Sequence, residues 1–446
     1  MKVRPLVLDP LFALALAIGT GPAAAEDLLQ IYREAQRNDP AIASARASWA
    51  ATQEKLPQAR AGLLPNATLT GTAGLTNFGT TIKADPKVEV NRNFANLLGT
   101  ISASQPLYRR QSVVAVAQAA EQVVQADFSL GASQQDLILR VAIAYFDVLL
   151  AEYTIELTVS QKAAVSEQLA QAKRNFEVGV ATITDTNEAQ AKYDTIVAQE
   201  ITTKNDYDNK VTALRAIIGR FPRDLRKIGD SLEPRLPEPN QLEFWVDKAI
   251  RENFSVRFAQ ANFDIATLEV ERAKAAYLPT LDLVGSFTPQ ASSASSSVNA
   301  SSTSRVATVS LQLSVPLYTG GLISSRVREA VALQERARQD LETARRNALF
   351  LAQTGFTGVT SAVASIKAFE QALVSAGVAY QSNKLGQEVG VRTNLDVLTV
   401  QQNLFSTRRD LAQAYVNYLI GKLRLKAADG ELTEQDVEEI NRQLKG

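Results

Sequence analysis

Two stretches decide the fold: Leu97-Leu98-Gly99-Thr100-Ile101-Ser102-Ala103-Ser104-Gln105-Pro106-Leu107-Tyr108 and, 210 residues on, Ala307-Thr308-Val309-Ser310-Leu311-Gln312-Leu313-Ser314-Val315-Pro316-Leu317-Tyr318. In the first, Leu97, Gly99, Ile101 and Ala103 alternate with Thr100, Ser102 and Ser104. In the second, Ala307, Val309, Leu311, Leu313 and Val315 alternate with Thr308, Ser310, Gln312 and Ser314. A period of two predicts strands with one apolar and one polar face. Each has an upstream partner that begins after a proline. After Pro65, Ala67, Leu69, Gly71, Ala73 and Leu75 oppose Thr68, Thr70, Thr72 and Thr76; after Pro279, Leu281, Leu283, Gly285 and Phe287 oppose Asp282, Ser286 and Thr288. The reading is two hairpins, 65–106 and 279–316, whose polar stretches Asn77 to Phe94 and Pro289 to Arg305 are expected to be external loops. Strands of about ten residues patterned this way fit a membrane barrel, with lipid on one face and water on the other. They also fit a soluble antiparallel sheet lying on a core.

The match between the two stretches extends in both directions. Val178-Gly179-Val180 reappears as Val389-Gly390-Val391, 211 residues later. At the same offset Thr182 falls on Thr393, Asp185 on Asp396, Gln190 on Gln401, Leu214 on Leu425 and Gly219 on Gly430; Leu64-Pro65 returns as Leu278-Pro279 at 214. Self-similarity over such a length means one structural unit used twice. The expected organisation is a first repeat over 26–219, a proline-rich linker over 220–240 with room for a short strand, and a second repeat over 241–430. An acidic tail, 431–446, reads as a short helix packed outside.

Each repeat opens with a helical stretch, about Asp27 to Ala61 and Leu242 to Tyr277, before its hairpin. After the hairpin comes a much longer one. Ser112 to Val178 and Ser324 to Val389 contain no proline and are rich in alanine, glutamine, leucine and valine. At 1.5 Å per residue each would reach on the order of 100 Å. Partner helices follow over about Asp185 to Ile218 and Leu395 to Ala428. Apolar positions every three or four residues over such lengths predict coiled-coil packing.

Composition narrows the function. The chain of 446 residues has no histidine, no cysteine and one methionine. That removes Ser-His-Asp and Cys-His nucleophile systems and leaves little for a transition metal to bind. No phosphate-cradling glycine loop or conspicuous acid pair is present, so an enzyme is not expected. Lysine plus arginine equal aspartate plus glutamate, 47 each, so no global field points to nucleic acid. Lys2 and Arg4, the apolar run Leu11 to Ile18 and Ala23-Ala24-Ala25 read as a signal peptide over residues 1–25, and hence as export. The sequence reading finds no later run of about 20 apolar residues to serve as a membrane helix.

Four strands cannot close a barrel, and an open edge in lipid leaves backbone groups unpaired. Three chains would supply twelve strands around a water-filled interior, with the helices continuing below as a hollow cylinder. A periplasmic coiled-coil scaffold with a soluble sheet and no pore is the alternative reading.

The duplicated Leu-Pro and Pro-Leu-Tyr borders, with the turns Val178-Gly179-Val180-Ala181-Thr182-Ile183-Thr184-Asp185 and Val389-Gly390-Val391-Arg392-Thr393-Asn394-Leu395-Asp396-Val397-Leu398, resemble the TolC-type outer-membrane efflux factor family over essentially the whole mature chain. The resemblance implies an α+β membrane protein, in which a long α-helical coiled-coil barrel is continuous with a β-barrel to which each chain gives four strands. It implies a homotrimeric channel-tunnel in outer-membrane lipid, extending into the periplasm and constricted at its periplasmic end. That end would dock with a periplasmic adaptor (membrane fusion) protein and an inner-membrane pump or ABC exporter, for drug efflux or type I protein secretion. No cofactor is implied.

The two turns carry the candidate site. An acid at Asp185 or Asp396 stands in the first turn of a helix, where it caps orphan amides and complements the helix dipole. Under threefold symmetry it would also form a ring of three carboxylates that favours cations. The resemblance implies that Arg392 bridges to the Thr184-Asp185 segment and that Asp396 belongs to the constriction ring. The family member best known for this closure has a tyrosine where Gln387 stands and an aspartate where Thr399 stands. The turns Val178-Gly179-Val180 and Val389-Gly390-Val391 are either simply good turns or the surface that meets the adaptor.

Overall fold

The computed structural model describes residues 25–83, 85–228, 232–293 and 300–444. The expected signal peptide, apart from Ala25, lies outside the described residues. The first half runs α1 (Leu28–Asn38), α2 (Pro40–Gln53), α3 (Lys55–Ala61), β1 (Asn66–Ile82), β2 (Val88–Tyr108), α4 (Arg110–Glu177) and α5 (Ile183–Ile218). The second runs α6 (Leu242–Glu252), α7 (Phe254–Ala275), β3 (Thr280–Ser292), β4 (Ser302–Ser314), α8 (Leu322–Glu388) and α9 (Asn394–Ala428), followed by α10 (Glu434–Asn441).

Each opening helical stretch is broken where the sequence reading has it continuous. At Asp39-Pro40 the proline has no N–H for a helical bond and takes the first position of α2, while the Asp39 carboxylate accepts from the Ala41 N–H at 2.9 Å. Asn253 repeats the break before α7, accepting from the Ser255 N–H at 2.9 Å. Partners from elsewhere pin both corners. Arg140 of α4 donates to Asp39 at 2.6 Å, and the Asn253 amide donates to the Ala428 carbonyl at the end of α9 at 2.9 Å.

The four strands form one antiparallel sheet in the order β1-β2-β3-β4. Register places the alternation in straight rows. Leu69, Ile101, Phe287 and Ala307 lie side by side, and in the next row lie Thr68, Ser102, Ser286 and Thr308. The polar face bonds to itself, through the Thr68 and Ser102 hydroxyls at 3.1 Å and those of Thr100 and Thr288 at 3.3 Å. Across from it, Leu69, Leu75, Leu97, Val309, Leu311 and Leu313 are all exposed, so none of the described residues covers the apolar face there.

The strands are longer than the sequence reading expects, 17 and 21 residues for β1 and β2. The stretch 77–94 is mostly paired strand rather than loop, with register continuing from Asn77↔Asn93 to Ile82↔Val88. What ends at Leu75 is the apolar face: Asn77, Gly79, Asn91 and Asn93 take the positions that leucine and alanine hold below. A polar stretch in the sequence here marks the end of the apolar face, not the end of the strand. An apolar run from Ala67 to Leu75, at about 3.3 Å per residue and tilted as barrel strands are, rises about 20 Å, most of the roughly 25 Å apolar band of a membrane barrel.

The long helices pack as pairs, α4 with α5 and α8 with α9, while α7 lies between α4 and α8. Midway along α4 and α8, where α5 and α9 end, sits the largest core. Leu137, Val141, Tyr145 and Phe146 of α4, Leu419 and Leu423 of α9, and Leu28 and Ile31 of α1 are all nearly or fully buried there. The linker binds to this belt: Leu225 and Leu232 are buried in it, and the Tyr145 hydroxyl donates to the Arg226 carbonyl at 2.8 Å. Helix α10 is not an external decoration, since its Val437 and Ile440 close the same core.

Helix α8 is, by length and composition, apolar enough to cross a bilayer, and its most apolar stretch is mostly uncovered in the single chain; Gln353, Thr354 and Thr357 interrupt that stretch, so it is no continuous apolar run. Phe350 and Leu351 stand exposed on it, and Ala348 and Ala352 of the same helix are buried against α6 and its neighbours. A helix apolar on more than one side has more than one surface to bury.

Candidate functional site: the helix-turn end

At the end remote from the sheet, α4 turns into α5 and α8 into α9 by two copies of the same turn. Gly179 and Gly390 sit at φ values of 80° and 79°, a left-handed conformation that side chains resist. The turns close through equivalent bonds, from the Val180 N–H to the Asn175 carbonyl and from the Val391 N–H to the Gly386 carbonyl, both at 2.9 Å. Val178, Val180, Val389 and Val391 are each more than 60 % exposed, so the tip is an apolar surface with no cover from its own chain.

Two capping boxes start the returning helices. The Asp185 carboxylate accepts from the Thr182 N–H at 2.9 Å and hydroxyl at 2.8 Å, and the Thr182 hydroxyl accepts from the Asp185 N–H at 3.2 Å. The Asp396 carboxylate accepts from the Thr393 N–H at 3.0 Å, with the Asp396 N–H returning to the Thr393 hydroxyl at 3.2 Å. Each box satisfies amides that a helix start leaves unpaired, for about 1 kcal/mol. The Thr393 bonds, with Arg392 adding its charge, hold the Asp396 carboxyl below the ordinary aspartate range. The structural role of both acids is thus present in the single chain.

Arg392 is placed differently. Its N–H helps close the turn, donating to the Gly386 carbonyl at 3.1 Å, but the residue is exposed and, among the described residues, its guanidinium makes no hydrogen bond or ion pair within its own chain, to Thr184 and Asp185 or to anything else. Thr184 is likewise exposed. Gln387 donates to the Asn394 side chain at 3.3 Å, and the Thr399 hydroxyl turns back to the Leu395 carbonyl at 2.8 Å. Both residues serve their own turn.

Sequence reasoning missed several contacts that position this end. Leu398 of α9 is buried among Val165, Leu169, Ala172, Ala189 and Ile196, which fastens one helix pair to the other. Lys192 of α5 donates to Gln402 of α9. At the opposite end Arg109 donates to Asp282 at 2.7 Å across the junction of sheet and helices. Among the described residues no group of three or more carboxylates could hold a metal ion.

An apolar-faced strand sheet carried on paired helices of such length is the architecture of an outer-membrane channel subunit. A family model for outer membrane efflux proteins matches residues 31–220 and 245–431. The chain is 34% identical over 441 residues to outer membrane protein TolC of Vibrio cholerae serotype O1, spanning 98% of both chains. It is 32% identical to outer membrane protein TolC of Escherichia coli strain K12, spanning 98% of this chain and 89% of that one. It is 30% identical to the proteases secretion protein PrtF of Dickeya chrysanthemi, spanning 96% and 94%. Among solved structures, CusC superposes with a TM-score of 0.78 over 91% of this chain and 92% of its own at 16% identity, and VceC of Vibrio cholerae with 0.75 over 90% and 96% at 19%. The chain belongs to the TolC-type outer membrane efflux protein family. It is a channel subunit of the outer membrane with its helices extending into the periplasm, a conduit and not an enzyme. The pore-less periplasmic scaffold is thereby set aside.

Proposed function

We propose that three copies of this chain form one channel-tunnel, the exit duct of a tripartite efflux pump or a type I secretion system. The observation that carries the trimer is the sheet's pair of open edges. Strand β4 is exposed along its whole length and β1 along most of its own. The strands alternate in direction, so β4 of one copy meets β1 of the next antiparallel, as an up-and-down barrel requires. Three copies give twelve strands, and the uncovered faces of α8 meet neighbouring helices in the same assembly. PrtF is named for protease secretion and the family for efflux, and both uses fit a duct whose energy comes from an inner-membrane pump or ABC exporter through a periplasmic adaptor.

At the periplasmic end Asp185 and Asp396 become two rings of three carboxylates, which favour cations. The Arg392 guanidinium, without a partner in its own chain, reaches the Thr184-Asp185 segment of the neighbouring copy and holds the aperture closed. The exposed turns Val178-Gly179-Val180 and Val389-Gly390-Val391 offer the adaptor its apolar contact. Single-channel recording in planar bilayers tests the gate: Arg392→Ser and Asp185→Ala each raise the resting conductance several-fold. Wild-type conductance in both variants removes the gate from the proposal.

A further inference from the structure

The two turns share a backbone but differ at one pair of positions. Where the second repeat has Gly386 and Arg392, the first has Asn175 and Ala181, each 211 residues earlier. Both Gly386 and Asn175 lie in the last turn of a long helix, and both carbonyls accept the bonds that close the turn. Glycine is not needed there for backbone reasons, because Asn175 does the same work with a side chain. Gly386 is not among the left-handed glycines of the chain either.

Its neighbours supply the reason. A Cβ built on Gly386 would lie 2.7 Å from the Arg392 Cγ, 3.4 Å from the Arg392 Cβ and 3.5 Å from the Val391 Cγ2. The three nearest atoms are all from the turn itself, and the closest by far is the Arg392 Cγ. The glycine makes room for the arginine stem. The Arg392 chain lies across the end of α8 and buries Gly386 in doing so. The contact is at Cγ, close to the backbone, so it is relieved only by rotating the whole side chain and not by a small shift of its far end.

We infer that Gly386 is a positioning residue for the gate: the missing side chain at 386 fixes the direction in which Arg392 leaves the turn. The inference rests on the proposed role of Arg392 at the aperture. It explains why the glycine stands in the repeat that carries the arginine, while an asparagine suffices where Ala181 has no stem to place. Alanine is a better helix former than glycine, so Gly386→Ala harms the gate without weakening α8.

The test is single-channel conductance of the purified channel in planar bilayers, with thermal dissociation of the oligomer read in parallel. Gly386→Ala is expected to raise resting conductance toward the Arg392→Ser level, with the dissociation temperature unchanged or higher. The double variant is expected to match Arg392→Ser alone, since both act through one side chain. Asn175→Ala, the same change in the other repeat, is expected to leave conductance at the wild-type value. Three results overturn the inference. One is wild-type conductance in Gly386→Ala while Arg392→Ser is raised. Another is an equal rise in Asn175→Ala, which would place the effect in turn geometry. Unchanged conductance in Arg392→Ser leaves no latch at Arg392 to position, and removes this role for Gly386.

Discussion

Asp185 and Asp396 stand 211 residues apart and hold the same place in two copies of one capping box, each accepting the N–H of the threonine three residues before it, at 2.9 and 3.0 Å. The two acids are structurally equivalent, so what differs between the turns lies beside them. Arg392 flanks one box, and Ala181 stands at the corresponding position beside the other. A doubled frame therefore carries a single arginine beside one of its two boxes.

The capping bonds set how the proposed ring of Asp396 carboxylates would respond to acid. The Asp396 carboxyl is held below its ordinary value of 3.8, chiefly by the Thr393 bonds and secondarily by Arg392. A carboxyl lowered in the folded state stabilises above its unfolded pKa and loses that contribution as pH falls through the folded value. Cation preference, measured as reversal potential across a salt gradient, is expected to hold through mildly acidic pH and to decline only below the ordinary aspartate range. Loss of selectivity near pH 6 would mean that Asp396 does not carry it.

The two sheet faces are expected to answer differently to one charge. Leu311→Arg puts a guanidinium in the apolar band, at a cost of about 2–4 kcal/mol near the bilayer midplane, and lowers the yield of outer-membrane channel. Thr308→Arg on the polar face is expected to assemble normally and shift ion selectivity toward anions. Membrane-fraction yield and reversal potential check the pair, and reversed outcomes would exchange the assignment of lipid and water.

At the belt, Lys248 lies 3.4 Å from the Asp429 carboxylate, which is 1 % exposed. Burial pushes the Asp429 carboxyl up against the pull of that lysine. Lys248→Ala leaves the buried carboxylate with the Glu431 N–H at 2.9 Å but without its ion-pair partner, and is expected to destabilise by about 3 kcal/mol. Thermal unfolding in detergent measures this. The double variant Lys248→Ala with Asp429→Asn is expected to recover part of the loss.

The fold was legible where local rules govern. The change of period after Pro65 and Pro279 and the proline-free runs of α4 and α8 are properties of neighbours in sequence. Strand length was not legible, because past Leu75 the outer face turns polar while pairing continues to Ile82↔Val88. The helix breaks were missed at Asp39 and Asn253, although the two stand 214 residues apart, the offset already set by Leu64-Pro65 and Leu278-Pro279. Pro40 marks the first corner locally, but the partners that pin both, Arg140 and the Ala428 carbonyl, are distant in sequence. At the turns, the glycines and capping boxes showed in the sequence. The role of Gly386 did not, because it needs the path of a side chain six residues on.

The central claim is that each chain gives four strands to a barrel closed by two others. The chain has no cysteine, so pairs can be introduced without background. Leu69→Cys on β1 is combined in turn with Ala307→Cys, Val309→Cys, Leu311→Cys and Leu313→Cys on β4, and membranes are oxidised before denaturing electrophoresis. At least one pair is expected to give covalent dimers and trimers, with nothing larger than a trimer. Monomer alone from all four pairs, or a ladder running past three, would contradict the shared twelve-stranded barrel.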